Sequence, residues 1–157
     1  MTKNNALEMT FFDYDIINVP DSDNLAARST GKNEKGIFIL FQNQQDDREE
    51  LELFLEKVLA AVQLNIQKDT TLLAITNPSD IRFVGLRQRF SFQHFICFGI
   101  SPQELGIQFE TKPYQALRHD GITFVFADDL QKIYEERQQG GKQMSGELWR
   151  VLKSMFL

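Results

Sequence analysis

The sequence predicts an α/β fold, a three-layer α/β/α domain with a mostly parallel central sheet of about four strands. Four short apolar runs of five to seven residues recur along the chain, separated by polar segments. Between these runs and after the last one, apolar residues recur at three- and four-residue spacing, which is typical of helices with one buried side. Strands that alternate with such helices form parallel sheets with helices on both faces.

The first two runs flank a long helical pattern. GIFILF (36–41) is short and rich in Ile and Phe, as expected of a strand covered on both faces. TLLAIT (71–76) repeats this composition. The helical pattern between them consists of Leu51, Phe54, Leu55, Val58, Leu59 and Val62. After TLLAIT, the residues NPSD (77–80) predict the cap of a short helix that runs through Ile81, Val84 and Leu86.

The other two runs are HFICFGI (94–100) and ITFVF (122–126). A short helix is expected after ITFVF, because Asp128 or Asp129 can cap it and Leu130 and Ile133 follow at helical spacing. The last helix is predicted from one apolar side made of Met144, Leu148, Leu152, Met155 and Phe156.

Residues 1–35 are predicted to stand apart from the α/β domain, which is placed at 36–157. The stretch 20–35 is polar and is typical of a linker or loop. Ahead of it, apolar residues alternate with acidic ones, as in a strand. This segment is either an edge strand of the domain's own sheet or a tethered motif that becomes ordered on a partner. Under the second interpretation, the partner-binding residues are Phe11, Phe12, Tyr14, Ile16 and Ile17.

Composition excludes several classes of function. The chain has 157 residues and 1 Cys, so it forms one domain without an internal disulfide, and its 2 His are too few for a cysteine-rich zinc site. We expect neither a metal nor a cofactor. A net charge of -5 argues against a large phosphate-binding surface and direct nucleic-acid binding. The absence of a signal-peptide pattern and of a long apolar run predicts a cytoplasmic protein without a membrane partner.

Phenylalanine dominates the aromatic residues, with 14 Phe against 3 Tyr and 1 Trp. A phenyl ring carries no hydrogen-bonding group, whereas Tyr and Trp do. The bias therefore favours core packing or a buried partner interface over the recognition of sugars or nucleic-acid bases.

Polar residues follow each of the four predicted strands. The carboxyl ends of parallel strands lie at one edge of the sheet, and ligand crevices form there. We expect this crevice to be lined by Asn43, Asn77, Ser101 and Asp128. Neither His94 nor His119 belongs to this edge, because His94 lies at the amino end of its strand and His119 lies in a loop just before the next strand. No glycine-rich phosphate-binding motif is present either. No catalytic residue is therefore predicted.

Three stretches resemble, in order and spacing, the psi subunit family of the DNA polymerase III clamp-loader assembly. They are FICFGISPQELGIQF (95–109), HDGITFVFADDLQKIYEE (119–136) and KQMSGELWRVLKSMF (142–156). The shared features are an FGIxPxxLG turn after a strand, a small-acidic-Leu helix start after the next strand, and a closing helix with Leu148 and Trp149. The resemblance covers about residues 36–157.

The psi family looks like a non-catalytic offshoot of the uracil-DNA glycosylase α/β fold. Those glycosylases carry a GQDPYH-type motif after the first strand and an HPSP-type loop after the last, whereas residues 42–47 and 127–132 here contain neither. The resemblance therefore implies a scaffold that keeps the fold without the chemistry.

In the psi family an N-terminal peptide docks on the clamp loader, and the globular part holds another accessory subunit. The resemblance thus implies a protein-protein adaptor with clamp-loader or other replication subunits as partners. The alternative is a hydrolase or a nucleotide- or nucleic-acid-binding enzyme of the same fold, which would use the four crevice residues.

Overall fold

A sheet covered by helices organises the computed structural model, which describes residues 28–43 and 48–157. The strands are β1 (Ile37–Gln42), β2 (Thr70–Ile75), β3 (His94–Phe98), β4 (Leu117–His119) and β5 (Ile122–Ala127). The α-helices are α1 (Arg48–Ala60), α2 (Ile66–Asp69), α3 (Phe83–Arg89), α4 (Leu130–Gln138) and α5 (Gln143–Phe156). The strand order is β2-β1-β3-β5-β4, and every neighbouring pair is parallel except β4 with β5. The predicted α/β fold is confirmed, with one strand more than expected.

The strand β1 lies between β2 and β3 and is buried on both faces of the sheet. All residues from Ile37 to Phe41 are 0% exposed. Ile37, Ile39 and Phe41 belong to the core on one face, and Phe38 and Leu40 belong to the core on the other. A continuous apolar run, rather than an alternating one, is what a strand with cover on both sides requires.

One face of the sheet, here called the aliphatic face, is covered by α1, α4 and α5. The helix α1 buries Leu51, Leu55 and Leu59, which recur every four residues and so lie on one side of the helix. The other two helices bury Leu130, Ile133, Leu148, Val151 and Leu152. Within the ranges 28–43 and 48–157, none of the helices combines the length and the apolar composition that crossing a bilayer demands.

The opposite face, here called the phenylalanine face, is covered by the seven-residue helix α3 and by the segment 99–109. Phenyl rings fill the space between this thin cover and the sheet. The ring centroids of Phe83 and Phe95 are 5.1 Å apart, and those of Phe38 and Phe90 are 4.9 Å apart. The phenylalanines on this face are Phe38, Phe83, Phe90, Phe92, Phe95, Phe109, Phe124 and Phe126.

The helix on this face differs from the one predicted through Ile81, Val84 and Leu86. Pro78–Asp80 form a separate 3-10 turn, which ends at Ile81 in an extended conformation with φ of -128°. The helix α3 therefore begins only at Phe83, and this start places Val84 on the outer side, where it is 65% exposed. The prediction that this helix includes Ile81 is wrong, although Ile81 and Leu86 are both buried in the core.

The strand β4 was not predicted, and it forms a hairpin with β5. His119 pairs with Ile122, so the loop consists of Asp120 and Gly121 alone. Both loop residues have positive φ, 51° and 80°, as a type I′ turn requires. The hairpin adds the antiparallel edge strand that makes the sheet mostly, and not wholly, parallel.

The described part of the predicted linker lies along the outer edge of β2. Thr30 exchanges two backbone hydrogen bonds with Leu72, of 2.9 and 2.8 Å. Residues 32–35 donate further backbone hydrogen bonds to the carbonyls of residues 67–70. Gly31 has φ of 103°, and a Cβ there would lie 2.0 Å from the carbonyl oxygen of Thr70. Residues 30–35 are therefore attached to the domain rather than free of it.

Candidate functional site

The four predicted crevice residues follow four different strands and end at the same edge of the sheet. In the strand register, Gln42 lies beside Ile75, Phe41 beside Phe98, and Phe98 beside Ala127. The residues that come next along the chain therefore lie at the carboxyl edge. They are Asn43, Asn77, Ser101 and Asp128.

Only two of these residues share a cavity. A cavity of about 410 Å³ lies over the ends of β1 and β2. It is lined by Arg28, Asn43, Arg48, Ala74, Ile75, Thr76, Asn77 and Asp80. This cavity does not lie where a ligand crevice is usual in such a sheet. The usual place is between β1 and β3, because the chain leaves these two strands toward opposite faces of the sheet. Ser101 and Asp128 do not line it, so the structure does not bring the four predicted residues together.

The side chain of Asn77 is used to shape the chain after β2. Its Oδ1 accepts hydrogen bonds from the backbone N–H of Ser79 at 3.1 Å and from the Ser79 hydroxyl at 2.9 Å. Asn77 thereby caps the 3-10 turn at Pro78–Asp80. The neighbouring Asn43 extends the ladder between β1 and β2, because its backbone N–H donates to the carbonyl of Ile75 at 2.7 Å.

Ser101 has a capping role as well. Its backbone N–H donates to Oε1 of Glu104 at 2.9 Å, and its hydroxyl lies 3.1 Å from the same oxygen. The backbone N–H of Glu104 donates back to the Ser101 hydroxyl at 3.3 Å. This reciprocal pattern is a capping box at the 3-10 turn Gln103–Leu105.

Asp128 is held by Tyr114, a residue that the sequence did not single out. The Tyr114 hydroxyl donates to Oδ2 of Asp128 at 2.7 Å and accepts from the Asp128 backbone N–H at 3.4 Å. Burial, followed by this hydrogen bond with Asp128, raises the pKa of the Tyr114 hydroxyl, so the phenol stays protonated. The backbone of Tyr114 has φ of 62°, which no sequence pattern reveals.

The groups that could act as nucleophile or base lie apart from one another. Cys97 is 0% exposed on β3, and burial raises the pKa of its thiol, so a reactive thiolate is disfavoured. His94 begins β3, at the end opposite the carboxyl edge, as predicted. His119 lies on β4, where its ring is 4.5 Å from that of Phe109. In the described part of the chain, no cluster of three His, Cys, Asp or Glu side chains is suited to a metal ion.

A second concave surface lies on the outer side of the helices that cover the aliphatic face. We call it the α1/α5 groove. Its volume is about 520 Å³. It is lined by Phe54, Lys57, Val58, Ala61, Arg137, Gln138, Lys142, Ser145, Gly146 and Trp149.

The helix α5 supplies one wall of the α1/α5 groove. Its core side carries Leu148, Val151 and Leu152, whereas Trp149 lies off that side and is 42% exposed. The ammonium nitrogen of Lys153 lies 4.8 Å from the centroid of the Trp149 ring. Gly146, one turn earlier, leaves open space where a Cβ would be. An exposed Trp beside a glycine gap leaves an apolar recess that a partner side chain can fill.

A third cavity, of about 790 Å³, lies on the phenylalanine face. Its apolar lining includes Phe83, Val84 and Phe109, and its charged lining includes Arg87 and Asp120. The α1/α5 groove differs in that Trp149 is exposed there and the charges lining it are all positive. Trp and Arg are the residues most enriched among those that dominate binding energy at protein interfaces.

The predicted partner-binding residues Phe11, Phe12, Tyr14, Ile16 and Ile17 lie outside the described residues. The α1/α5 groove was not predicted as a site, although Trp149 was noted in the closing helix. The sequence feature that could have indicated this groove is Trp149, which lies beside the apolar side of an amphipathic helix and not on it. No protein-family model and no curated protein matches the chain.

Proposed function

We propose that this chain is a non-catalytic protein-protein adaptor of the cytoplasm, and specifically a psi-like accessory subunit of the DNA polymerase III clamp-loader assembly. The observation that carries the adaptor proposal is the α1/α5 groove, where Trp149 is 42% exposed beside an apolar floor made by Phe54 and Val58. A half-exposed Trp in a recess has the size and the amphipathic character of an interface anchor.

The side chains at the carboxyl edge support the non-catalytic part of this proposal. Asn77, Ser101 and Asp128 each hold a hydrogen bond that shapes a nearby turn or loop. These hydrogen bonds give each of the three side chains a structural role, and the structure does not bring them together around one cavity. The link to the clamp loader rests on the sequence resemblance over residues 36–157.

Recovery of partners from the native cell tests the clamp-loader proposal. The full chain, tagged at its C-terminus, is expected to bring down clamp-loader subunits. Gly146→Phe is the blocking variant, because Gly146 lines the groove, nothing lies within 4 Å of a Cβ added there, and a phenyl ring at this position would fill part of the recess. Val84→Phe, at a 65% exposed position on the other face, is the matched control.

The expected result is that Gly146→Phe reduces subunit recovery at least about tenfold and Val84→Phe leaves it within about twofold, a tenfold loss corresponding to about 1.4 kcal/mol. Consistent failure to recover any replication protein with the unmodified chain would contradict the clamp-loader proposal. Equal recovery with both variants would show that the α1/α5 groove is not the contact.

The N-terminal apolar segment is proposed as a second contact, with Phe11, Phe12, Tyr14, Ile16 and Ile17 as its partner-binding residues. The test is the double variant Phe12→Ala/Tyr14→Ala in the same recovery assay. We expect at least a tenfold loss for one clamp-loader subunit. The urea unfolding midpoint should not change if these residues contact a partner, and a lowered midpoint would indicate a strand of the domain's own sheet instead.

A second candidate function, a hydrolase or nucleotide-binding enzyme, is favoured by the cavity at the carboxyl edge. Arg28 and Arg48 both line it together with Asn43 and Asn77, and arginines suit phosphate groups. The guanidinium of Arg48 is already paired with Glu52 at 2.6 Å, which weakens this candidate. Calorimetric titration with ATP tests it, and binding that is lost in Arg28→Ala but kept in Lys112→Ala would favour the enzyme.

A further inference from the structure

We propose that the α1/α5 groove binds an acidic peptide segment of the partner, with one large apolar side chain packed against Trp149 and carboxylates on either side of it. This inference rests on the proposed adaptor function and adds the chemistry of the partner. Such a segment meets two separate features of the surface, an apolar floor and a positively charged rim.

The floor of the groove determines which apolar side chain of the peptide can bind. Phe54 and Val58 are one helical turn apart on α1, so their side chains lie on the same side of the helix. Both pack against the aliphatic core while they also line the groove. Gly146 adds a gap in the facing helix α5, where nothing lies within 4 Å of an added Cβ. One aromatic or branched aliphatic side chain is the ligand group that such a recess accepts.

The rim sets the charge of the match. Lys57 on α1, Arg137 on α4 and Lys142 before α5 all line the groove, and its described lining contains no carboxylate. The neighbouring acid on α4, Glu136, is engaged elsewhere, because its Oε1 accepts a hydrogen bond from the backbone N–H of Met144 at 2.9 Å. A rim whose charged side chains are all positive, on a chain of net charge -5, is a local feature that favours an acidic partner and steers its approach.

A cationic groove with a Trp is also typical of sites that bind single-stranded nucleic acid, in which a base stacks on the ring. The position of Lys153 argues against it. Its ammonium nitrogen lies over the Trp149 ring at 4.8 Å from the centroid, so one face of the indole is already covered by the protein's own cation. The cations of the rim suit phosphates and carboxylates alike, but the apolar floor of Phe54 and Val58 suits an apolar side chain better than a nucleotide. The observations favour a peptide.

The test uses the full chain and a phage-displayed library of random dodecapeptides as the probe. We expect selected peptides to be enriched in Asp and Glu around one aromatic or aliphatic residue. The triple variant Lys57→Glu/Arg137→Glu/Lys142→Glu should bind these peptides at least about tenfold more weakly. The control is Lys32→Glu/Lys68→Glu/Lys112→Glu, which makes the same charge change at exposed residues that do not line the groove, and it should bind within about twofold of the unmodified chain.

Binding of a single selected peptide is followed by tryptophan emission, because the chain contains 1 Trp. The emission change is expected to be absent in Gly146→Phe, and the affinity should fall as salt rises. Urea unfolding of each variant, with a midpoint close to that of the unmodified chain, shows that a loss of binding is not a loss of fold.

The remaining outcomes separate this inference from the adaptor proposal. If Gly146→Phe abolishes peptide binding but the triple reversal leaves it intact, the acidic character is wrong and the adaptor groove stands. If neither variant changes binding, the groove itself is wrong. Displacement of the selected peptide by a synthetic peptide of residues 1–27 would make the chain's own segment the occupant and overturn the partner assignment. Binding of a labelled oligothymidylate that both variants abolish would overturn it in favour of nucleic acid.

Discussion

The aliphatic face is covered by three helices, whereas the phenylalanine face is covered by one helix of seven residues and the segment 99–109. Leu, Ile and Val dominate the first core, and eight phenylalanines lie in or against the second. A phenyl ring buries more apolar area than an aliphatic side chain does, so these rings supply a large part of the core under a cover that has few helical side chains. Of the 14 Phe in the chain, eight lie on this face.

The two kinds of cover also differ in what they leave on the outside. The three helices of the aliphatic face seal the core with their inner sides, and their outer sides are free to carry the α1/α5 groove. On the phenylalanine face, the cavity reaches the buried core residue Phe124, which is 2% exposed, whereas the α1/α5 groove meets its core only through the partly buried Phe54 and Val58. Substitutions at the first surface should therefore separate binding from stability better than substitutions at the second.

Removing the end of α5 is expected to have the largest effect. Truncation after Arg150 deletes Val151 and Leu152, which are 6% and 1% exposed, together with the partly buried Met155 and Phe156. Each buried side chain of this size is worth roughly 1.5 to 3 kcal/mol, against a typical total of about 5 to 15 kcal/mol.

The truncated chain should therefore lose cooperative unfolding in urea or come close to losing it. A chain that lacks only Leu157, which is 59% exposed, is the control and should unfold at the normal midpoint. An unchanged midpoint after truncation at Arg150 would mean that the aliphatic face does not depend on its third helix.

Two phenylalanines on β3 allow the faces to be compared directly. Phe95 and Phe98 are both 0% exposed, but Phe95 belongs to the phenylalanine face and Phe98 to the aliphatic face. The Phe95 ring lies 5.1 Å from that of Phe83 and 5.8 Å from that of Phe124.

We expect Phe95→Ala to cost about 3 to 5 kcal/mol of unfolding free energy, as buried Phe truncations do. Phe95→Leu should cost about 1 kcal/mol more than Phe98→Leu, because it also loses aromatic pairs. Urea unfolding of all three variants measures this. Equal costs for the two Leu variants would show that the rings fill space and add no pairing energy.

The segment 30–35 along the edge of β2 belongs to neither face. Its removal tests whether the two cores alone keep the domain stable. The sequence alone predicts that deletion of residues 1–35 costs little. The structure attaches residues 30–35 by backbone hydrogen bonds to β2 and to the turn before it, and each such bond is worth about 0.5 to 1.5 kcal/mol net. Deletion of residues 1–35 should therefore cost about 2 kcal/mol more than deletion of residues 1–27, measured by urea unfolding. No difference between the two deletions would restore the original prediction.

The smallest expected effect is a pH dependence from His94. Burial, followed by the charge of Arg118, lowers the pKa of His94 below its ordinary 6.5, and its ring lies edge-on to that of Phe156 at 5.0 Å. The unfolded chain then binds more protons than the folded chain below about pH 6.5, so stability falls as the pH drops through that value.

The measurement is the midpoint of urea unfolding at pH 7.5 and at pH 5.5. Both pH values lie above the range in which carboxylates usually titrate. We expect the unfolding midpoint to be lower at pH 5.5 than at pH 7.5, and we expect this difference to be smaller in His94→Leu. A larger decrease in His94→Leu would mean that protonated His94 is tolerated where it lies.

The sequence predicted the layers well and the site poorly, for physical reasons. Apolar runs and helical spacing report burial directly, so β1, β2, β3 and β5 were located. The strand β4 has three residues, two of them exposed, and therefore shows no apolar run; Asp120 and Gly121 were its only signal, as a two-residue hairpin turn.

At the carboxyl edge, the predicted positions were right, but their roles depend on partners that the sequence does not pair. The hydrogen bond of Asp128 comes from Tyr114, fourteen residues away and in a left-handed backbone conformation. The α1/α5 groove likewise joins Lys57 to Arg137 and Lys142, which lie on either side of the α4–α5 connection, far along the chain from α1. Tertiary packing brings these cations together, and no local pattern contains them.

The bridge between Thr30 and Leu72 bears on how copies of this chain avoid joining edge to edge. An open strand edge is a template on which another chain can add a strand. Thr30 and Asn33 hydrogen-bond to Leu72 and Thr70 and so cover the first half of the outer edge of β2. At the far side of the sheet, the three-residue β4 presents the exposed Arg118 and His119, a short and polar edge that resists such growth. A chain that begins at residue 36 would lose the cover on β2, so we expect it to associate edge to edge more readily than the full chain.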